Sequence, residues 1–243
     1  MKTVSKGHGN RLIAAVASGI ALGASMMFSG SALAAGITGT AHDFSDDTGF
    51  NNSGEICKVC HTPHNAQVAA EDGPLWNREL TTATYTMYSG GTVGSDLDHA
   101  MGTTVSGVSK LCLSCHDGTI ALDAFGGAAG TATKGMGDLF PTRNIGGGTV
   151  GGATADLAND HPVSFQLTTT AIAADSKIQS LASLQTLSTS GTSIQLFGSN
   201  DTVECATCHD VHDDAGNAKL LRVKNSTNDG GSASGLCLTC HIK

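Results

Sequence analysis

Cys205-Ala206-Thr207-Cys208-His209-Asp210-Val211-His212 places two thiols and two imidazoles in one short run of chain. Its first five residues, Cys-x-x-Cys-His, recur as Cys57-Lys58-Val59-Cys60-His61, Cys112-Leu113-Ser114-Cys115-His116 and Cys237-Leu238-Thr239-Cys240-His241, and these copies use all 8 cysteines of the 243-residue chain. Thiols three positions apart share one face of a helical turn. Both can add to the vinyl groups of one porphyrin while the next residue's imidazole reaches the iron from the same side. The repeat is therefore the attachment signature of c-type haem. It predicts four covalent haems, numbered I to IV in chain order, with His61, His116, His209 and His241 as proximal axial ligands. A disulfide framework or a pair of four-cysteine zinc sites would use the same thiols. Neither needs a His after each pair, and the chain has only 10 His to place.

Each motif leaves the far face of its iron open, and five further histidines lie downstream of residue 34: His42, His64, His99, His161 and His212. Their number favours bis-histidine ligation; Met87, Met101 and Met136 are the thioether alternatives, which would raise the potential. In His61-Thr62-Pro63-His64 and His209-Asp210-Val211-His212 the second imidazole follows the first by three residues. Both side chains then leave from one side, about 5 Å apart, so the second must reach a different haem. Each pair thus ties two irons together at no more than about 18 Å. His161, in Asn159-Asp160-His161-Pro162-Val163, is expected to be a ligand on an extended approach fixed by Pro162. His42 is near enough to Cys57 in sequence to fold back over haem I. His99, in a Gly/Ser/Asp-rich segment, reads as a solvated loop residue.

Composition agrees with an interior filled by something other than side chains. Aromatic residues make up 4% of the chain, against 32 Gly and long Ser/Thr/Ala stretches, which leaves little apolar side-chain area to bury. Four macrocycles would supply it. The fold class expected is a multihaem cytochrome c, mostly irregular, with short α-helices at the haem motifs and little β-structure. Residues 1–34 read as a secretory signal peptide: Lys2, Lys6 and Arg11 precede an apolar run to Phe28, and Ala32-Leu33-Ala34 offers a cleavage pattern. Residues 35–243 would form one domain with no membrane span. The net charge of −8, more acidic without the leader, disfavours nucleic acid as a partner.

Between the motifs the expectations are plainer. Val163–Leu167 could pair with Ser193–Phe197, Gly126–Gly152 looks flexible, and Thr168–Thr192 reads as an exposed loop. Gly146-Gly147-Gly148-Thr149-Val150-Gly151 matches a nucleotide-loop pattern without the strand and helix it would need. Asp213-Asp214-Ala215-Gly216-Asn217 reads as a solvated turn rather than a calcium site. Trp76, Tyr85 and Tyr88 are expected to pack against porphyrin.

Taken in order, Ala41-His42-Asp43-Phe44-Ser45, the His61-Thr62-Pro63-His64-Asn65 run, Pro74-Leu75-Trp76-Asn77, Cys115-His116-Asp117-Gly118-Thr119, Asn159-Asp160-His161-Pro162-Val163 and Cys208-His209-Asp210-Val211-His212 resemble the OmcE-like tetrahaem outer-surface c-type cytochromes of metal-reducing bacteria. The likeness runs from about residue 41 to the C-terminus and is weakly anchored over 120–155 and 168–195. The resemblance implies four low-potential bis-His haems and polymerisation into filaments in which one axial His comes from the neighbouring subunit. His64 is the favoured residue in trans, with His42, His161 and His212 completing the other sites. It implies secretion to the outer surface, and other c-type cytochromes or extracellular metal oxides as redox partners. His99 has no counterpart.

Electron transfer is thus the expected function, and an enzyme is not. A soluble periplasmic electron shuttle is the alternative. A multihaem reductase would need an iron with an open position and acid/base groups beside it, which five spare imidazoles disfavour.

Overall fold

The structure, a computed structural model, describes residues 36–46, 49–67, 73–88, 104–174, 177–190, 193–212 and 215–243. The expected leader, His99, Met101 and the Asp213-Asp214 turn lie outside the described residues. Regular structure is short and follows the motifs. In chain order it comprises β1 (Thr84–Met87), α1 (Gly107–His116), α2 (Met136–Leu139), β2 (Thr154–Leu157), β3 (Phe165–Gln166), α3 (Thr169–Ala174), α4 (Leu181–Ser190), β4 (Thr202–Val203), α5 (Cys205–Cys208) and α6 (Gly235–Cys240). Among the described residues no helix is long and apolar enough to cross a membrane.

Three small apolar clusters replace one large core. β1 pairs in parallel with β2, from Thr84 opposite Thr154 to Met87 opposite Leu157. Tyr85, Val105, Leu113, Ala155 and Leu157 close over this pair and dock α1 against it. A second cluster, Phe50, Val59, Leu122 and Met136, has Cys60 and Cys115 packed at its edge. The third, Phe165, Leu167, Ile172, Leu184, Ile194 and Val203, takes Leu236 and Cys240 at its rim.

Two expectations are corrected. β3 pairs antiparallel with β4, Phe165 opposite Val203, and Phe197 bridges to Thr202. The 193–197 run therefore meets Thr202–Val203 and not β3. Thr168–Thr192 is no exposed loop, since it carries α3 and α4. Leu181, Leu184 and Leu187, spaced by three, put one helical face of α4 on the third cluster. The Ser and Thr between them hid that period, because those residues read locally as turn formers. Leu184 is 0% exposed. Leu184→Ala is expected to cost about 3 kcal/mol, the transfer loss plus a cavity, read as a lowered urea midpoint, with Leu184→Met close to wild type.

The glycine-rich stretch is also built rather than loose. It contains α2 and a 3-10 turn at Pro141–Arg143, then lies back along the residues that follow His116. The Ile145 amide donates to His116 O (2.6 Å), and Gly151 N–H to Thr119 O (2.9 Å). Gly118 has φ +76°, and a Cβ there would collide with Gly148 O. Only glycine fits where backbone meets backbone this closely.

Candidate haem-binding site

Each Cys-x-x-Cys-His copy is one closed helical turn. His61, His209 and His241 donate their backbone N–H to the carbonyls of Cys57 (2.8 Å), Cys205 (3.1 Å) and Cys237 (2.8 Å), and the second copy ends α1 at His116. That turn sets both thiols on one face. Among the described residues all eight thiols are free. Burial pushes the Cys60 thiol up to about 12 and the Cys208 thiol up to about 11. Neighbouring thiols add to the effect, Cys115 and Cys57 at Cys60, and Cys240, Cys205 and Cys237 at Cys208. Among the described residues no three or more His, Cys, Asp or Glu converge on a metal-ion position. A haem iron asks for two protein ligands only.

Motifs I, III and IV share a clamp that the sequence does not announce. In motif I the Asn77 amide donates to Cys60 O (2.8 Å) and Thr62 N–H to Leu75 O (2.8 Å), bridging His61 to Trp76. In motif III, Arg222 N–H donates to Cys208 O (2.8 Å) and Asp210 N–H to Leu220 O (2.7 Å), bridging His209 to Leu221. In motif IV, Gln179 N–H donates to Cys240 O (2.8 Å) and Ile242 N–H to Lys177 O (2.6 Å), bridging His241 to Ile178. The helical turn stops at the second cysteine, and the histidine leaves it extended, with φ −106°, ψ 144° at His209 and φ −91°, ψ 139° at His241. Motif II differs: His116 stays helical and is held by the glycine-rich return.

The same supports choose which ring nitrogen is left free to ligate. Nδ1 of His61 lies 2.8 Å from Pro74 O, that of His116 3.0 Å from Arg143 O, and that of His209 3.1 Å from Lys219 O. His161 Nδ1 is 2.9 Å from Pro162 O. A carbonyl only accepts, so Nδ1 carries the proton in all four and Nε2 is the free lone pair. Orienting contacts of this kind are what a metal-ligating imidazole requires.

Among the described residues three imidazole pairs form. His42 faces His116 with ring centroids 5.9 Å apart, His212 faces His61 at 6.3 Å, and His161 faces His241 at 6.4 Å. An iron–nitrogen bond of about 2 Å on either side, plus about 1.1 Å from nitrogen to ring centre, separates two axial imidazoles by about 6 Å. Ordinary aromatic packing spans the same range. What packing does not explain is the selection, because each pair joins one motif histidine to one histidine outside the motifs. Position in sequence pointed His42 toward haem I, whereas its ring lies against His116 of motif II. Burial, reinforced by the charges of His116 and Arg143, holds the His42 imidazole down at about 4, neutral and able to ligate.

Around the first of these pairs the chain leaves a cavity of about 240 Å³, lined by His42, Cys115, His116, Phe44, Phe140 and Met136. A thiol for attachment, two axial nitrogens and apolar walls fit a porphyrin there. Met136 is a wall residue, and Met87 packs on the Tyr85 cluster. Trp76 stands edge-on to His61 with centroids 6.0 Å apart, and its buried indole N–H has no acceptor. Tyr85 is buried and bonded to Asp117 (2.7 Å), and Tyr88 is exposed.

The motifs are also close to one another. Cys112 and Cys205 are in side-chain hydrogen-bond contact, which raises the first thiol and lowers the second. α1 and α5 are latched there by Ser109, whose N–H donates to Glu204 Oε2 (3.2 Å) and whose Oγ accepts from Cys205 N–H (2.8 Å). His209 and His212 connect motif III to the His61 pair. Among the described residues neither His64 nor His209 packs its ring against another histidine, and both are exposed. Sequence reading missed the clamp contacts, the roles of Arg78 and Asp117, both 0% exposed, and the identity of the partners. Asp117 alone had a local signal, an Asp directly after the histidine with Thr119 two residues on, the pattern of an Asx turn.

Compared with known protein-family models the chain matches none, and no curated protein matches it.

Proposed function

We propose that this chain is a tetrahaem c-type electron-transfer protein, secreted and assembled into a homopolymer that carries electrons to acceptors outside the cell. The observation that carries the reading is the set of three motif-to-outside histidine pairs, at the spacing that one shared iron would impose. Haem supplies a one-electron couple when bound. The chain's own residues do the rest. Cysteines on closed turns would anchor the group, imidazoles, four of them oriented by backbone carbonyls, would hold the axial positions, and apolar clusters would exclude water from the edges.

Pairing uses six of the eight candidate ligands and leaves His209, proximal in motif III, and His64, exposed beside motif I. His64 of a second copy, placed opposite His209 as the other axial ligand of haem III, would complete the fourth site and link the copies. That arrangement favours a polymer over a soluble shuttle. Saturated axial positions speak against a reductase. The first test is expression in a host with the c-type maturation machinery. Intact mass should rise by four haems, and the reduced spectrum should be that of low-spin haem c. A chain that matures with disulfides and no haem would overturn the reading.

A further inference from the structure

Arg78 is 0% exposed, yet it belongs to neither of the two ion pairs among the described residues, Lys134–Asp123 and Arg222–Asp210. Its Nη1 donates to Leu122 O (2.8 Å) and its Nη2 to Ala121 O (3.0 Å), while Nε–H has no partner among the described residues. Capping carbonyls does not by itself call for a guanidinium. Elsewhere this chain does it with neutral amides, as Asn51 does for Phe44 O, Asn77 for Lys58 O and Asn144 for Gly148 O. A buried unpaired cation is costly, so its charge needs a reason beyond those two bonds.

Its position supplies one. Arg78 directly follows Asn77, whose backbone N–H holds Cys60 O, and its guanidinium grips the backbone of Leu122. Leu122 belongs to the cluster on which both Cys60 and Cys115 pack. The charge therefore lies in the partition between motifs I and II. Leu122, whose carbonyl the guanidinium holds, also lines the cavity at Cys115 and His116.

We propose that Arg78 is a fixed buried cation that raises the reduction potentials of haems I and II relative to haems III and IV. This rests on the haem reading of the motifs. The oxidised form of each group carries one more positive charge than the reduced form. A nearby cation in a poorly screened interior disfavours it, with one electron gained and no proton required. The acidic surface of the chain pulls the other way, so the interior charge would create a step in potential between two neighbouring sites.

The test is a spectroelectrochemical titration of the haem-loaded protein. In Arg78→Gln two of the four potentials should fall, each by about a tenfold change in the reduced-to-oxidised ratio at fixed ambient potential, or 59 mV for a one-electron couple. Arg78→Lys should stay near wild type at neutral pH. As pH rises and the lysine loses its charge, the same two potentials should fall while those of wild type do not. This second measurement stands even if Arg78→Gln does not fold. Four unmoved potentials in a folded Arg78→Gln protein, or a flat response of Arg78→Lys up to high pH, would make Arg78 a structural staple and overturn the proposal. A chain without covalent haem overturns both this and the proposed function.

Discussion

Replacement of His64 by alanine should leave a monomer that carries four covalent haems and cannot polymerise. His64 is exposed and, among the described residues, forms no ring pair with another imidazole, and the same holds for His209. The other six candidate ligands are paired at 5.9 to 6.4 Å. His64→Ala should therefore bind carbon monoxide at one haem in four, and dilute wild-type monomer should do the same. Only wild type should lose that reactivity on assembly, when the position is filled from the next copy. Free imidazole should restore a fully low-spin spectrum to His64→Ala but not the polymer, which separates loss of a ligand from damage to a surface. His212→Ala is the contrasting variant. It opens the His61 site within the chain, so its carbon monoxide reactivity should persist whether or not the copies associate. Sedimentation and electron microscopy read the assembly, and optical spectra read the ligation. A His64→Ala protein that polymerises with four low-spin haems would remove the trans-ligand idea. A monodisperse wild-type monomer with four low-spin haems would favour the shuttle.

The residues legible in the sequence were those whose chemistry is local. Cys-x-x-Cys-His is a single turn, so its spacing carries the whole of its geometry, and His209-x-x-His212 forbids a shared iron by the same turn. Partner choice is different in kind. Whether His42 meets His61 or His116 depends on how Phe44, Phe50 and Phe140 pack beneath it, a tertiary matter on which proximity to Cys57 misleads. The clamps were invisible for a related reason. They use backbone groups of residues 75–77, 177–179 and 220–222, which share no side-chain signature; one lies far before its motif and the others lie after theirs. α4 was misread because its three leucines are separated by residues that favour loops when considered one at a time.

Asp117 is where the largest loss of stability is expected. Its carboxylate is 0% exposed. Oδ2 accepts from Thr81 Oγ1 (2.7 Å) and Tyr85 OH (2.7 Å), and Oδ1 from Thr119 N–H (2.7 Å) and Thr119 Oγ1 (2.8 Å). Four donors from three residues thus converge on one carboxylate, that of the residue which caps α1 directly after His116. Asp117→Ala strands those donors away from water at about 1 to 3 kcal/mol each. Two effects offset part of that sum. The hydroxyls can bond one another, since Thr81 Oγ1 already lies 3.1 Å from Thr119 Oγ1 and 3.3 Å from Tyr85 OH, and the variant no longer desolvates a charge. The Thr119 amide has no such alternative. The net cost should be about 3 to 4 kcal/mol. Asp117→Asn should cost somewhat less, because its amide oxygen accepts some of these bonds while its NH₂ group now faces donors. Tyr85→Phe removes one bond and should cost about 1 kcal/mol. Urea unfolding of the haem-loaded proteins gives the order. Because Asp117 fixes the turn that carries His116, the spectral change on heating Asp117→Ala should begin at the His42–His116 haem. Simultaneous loss at all four haems would place the control of α1 elsewhere.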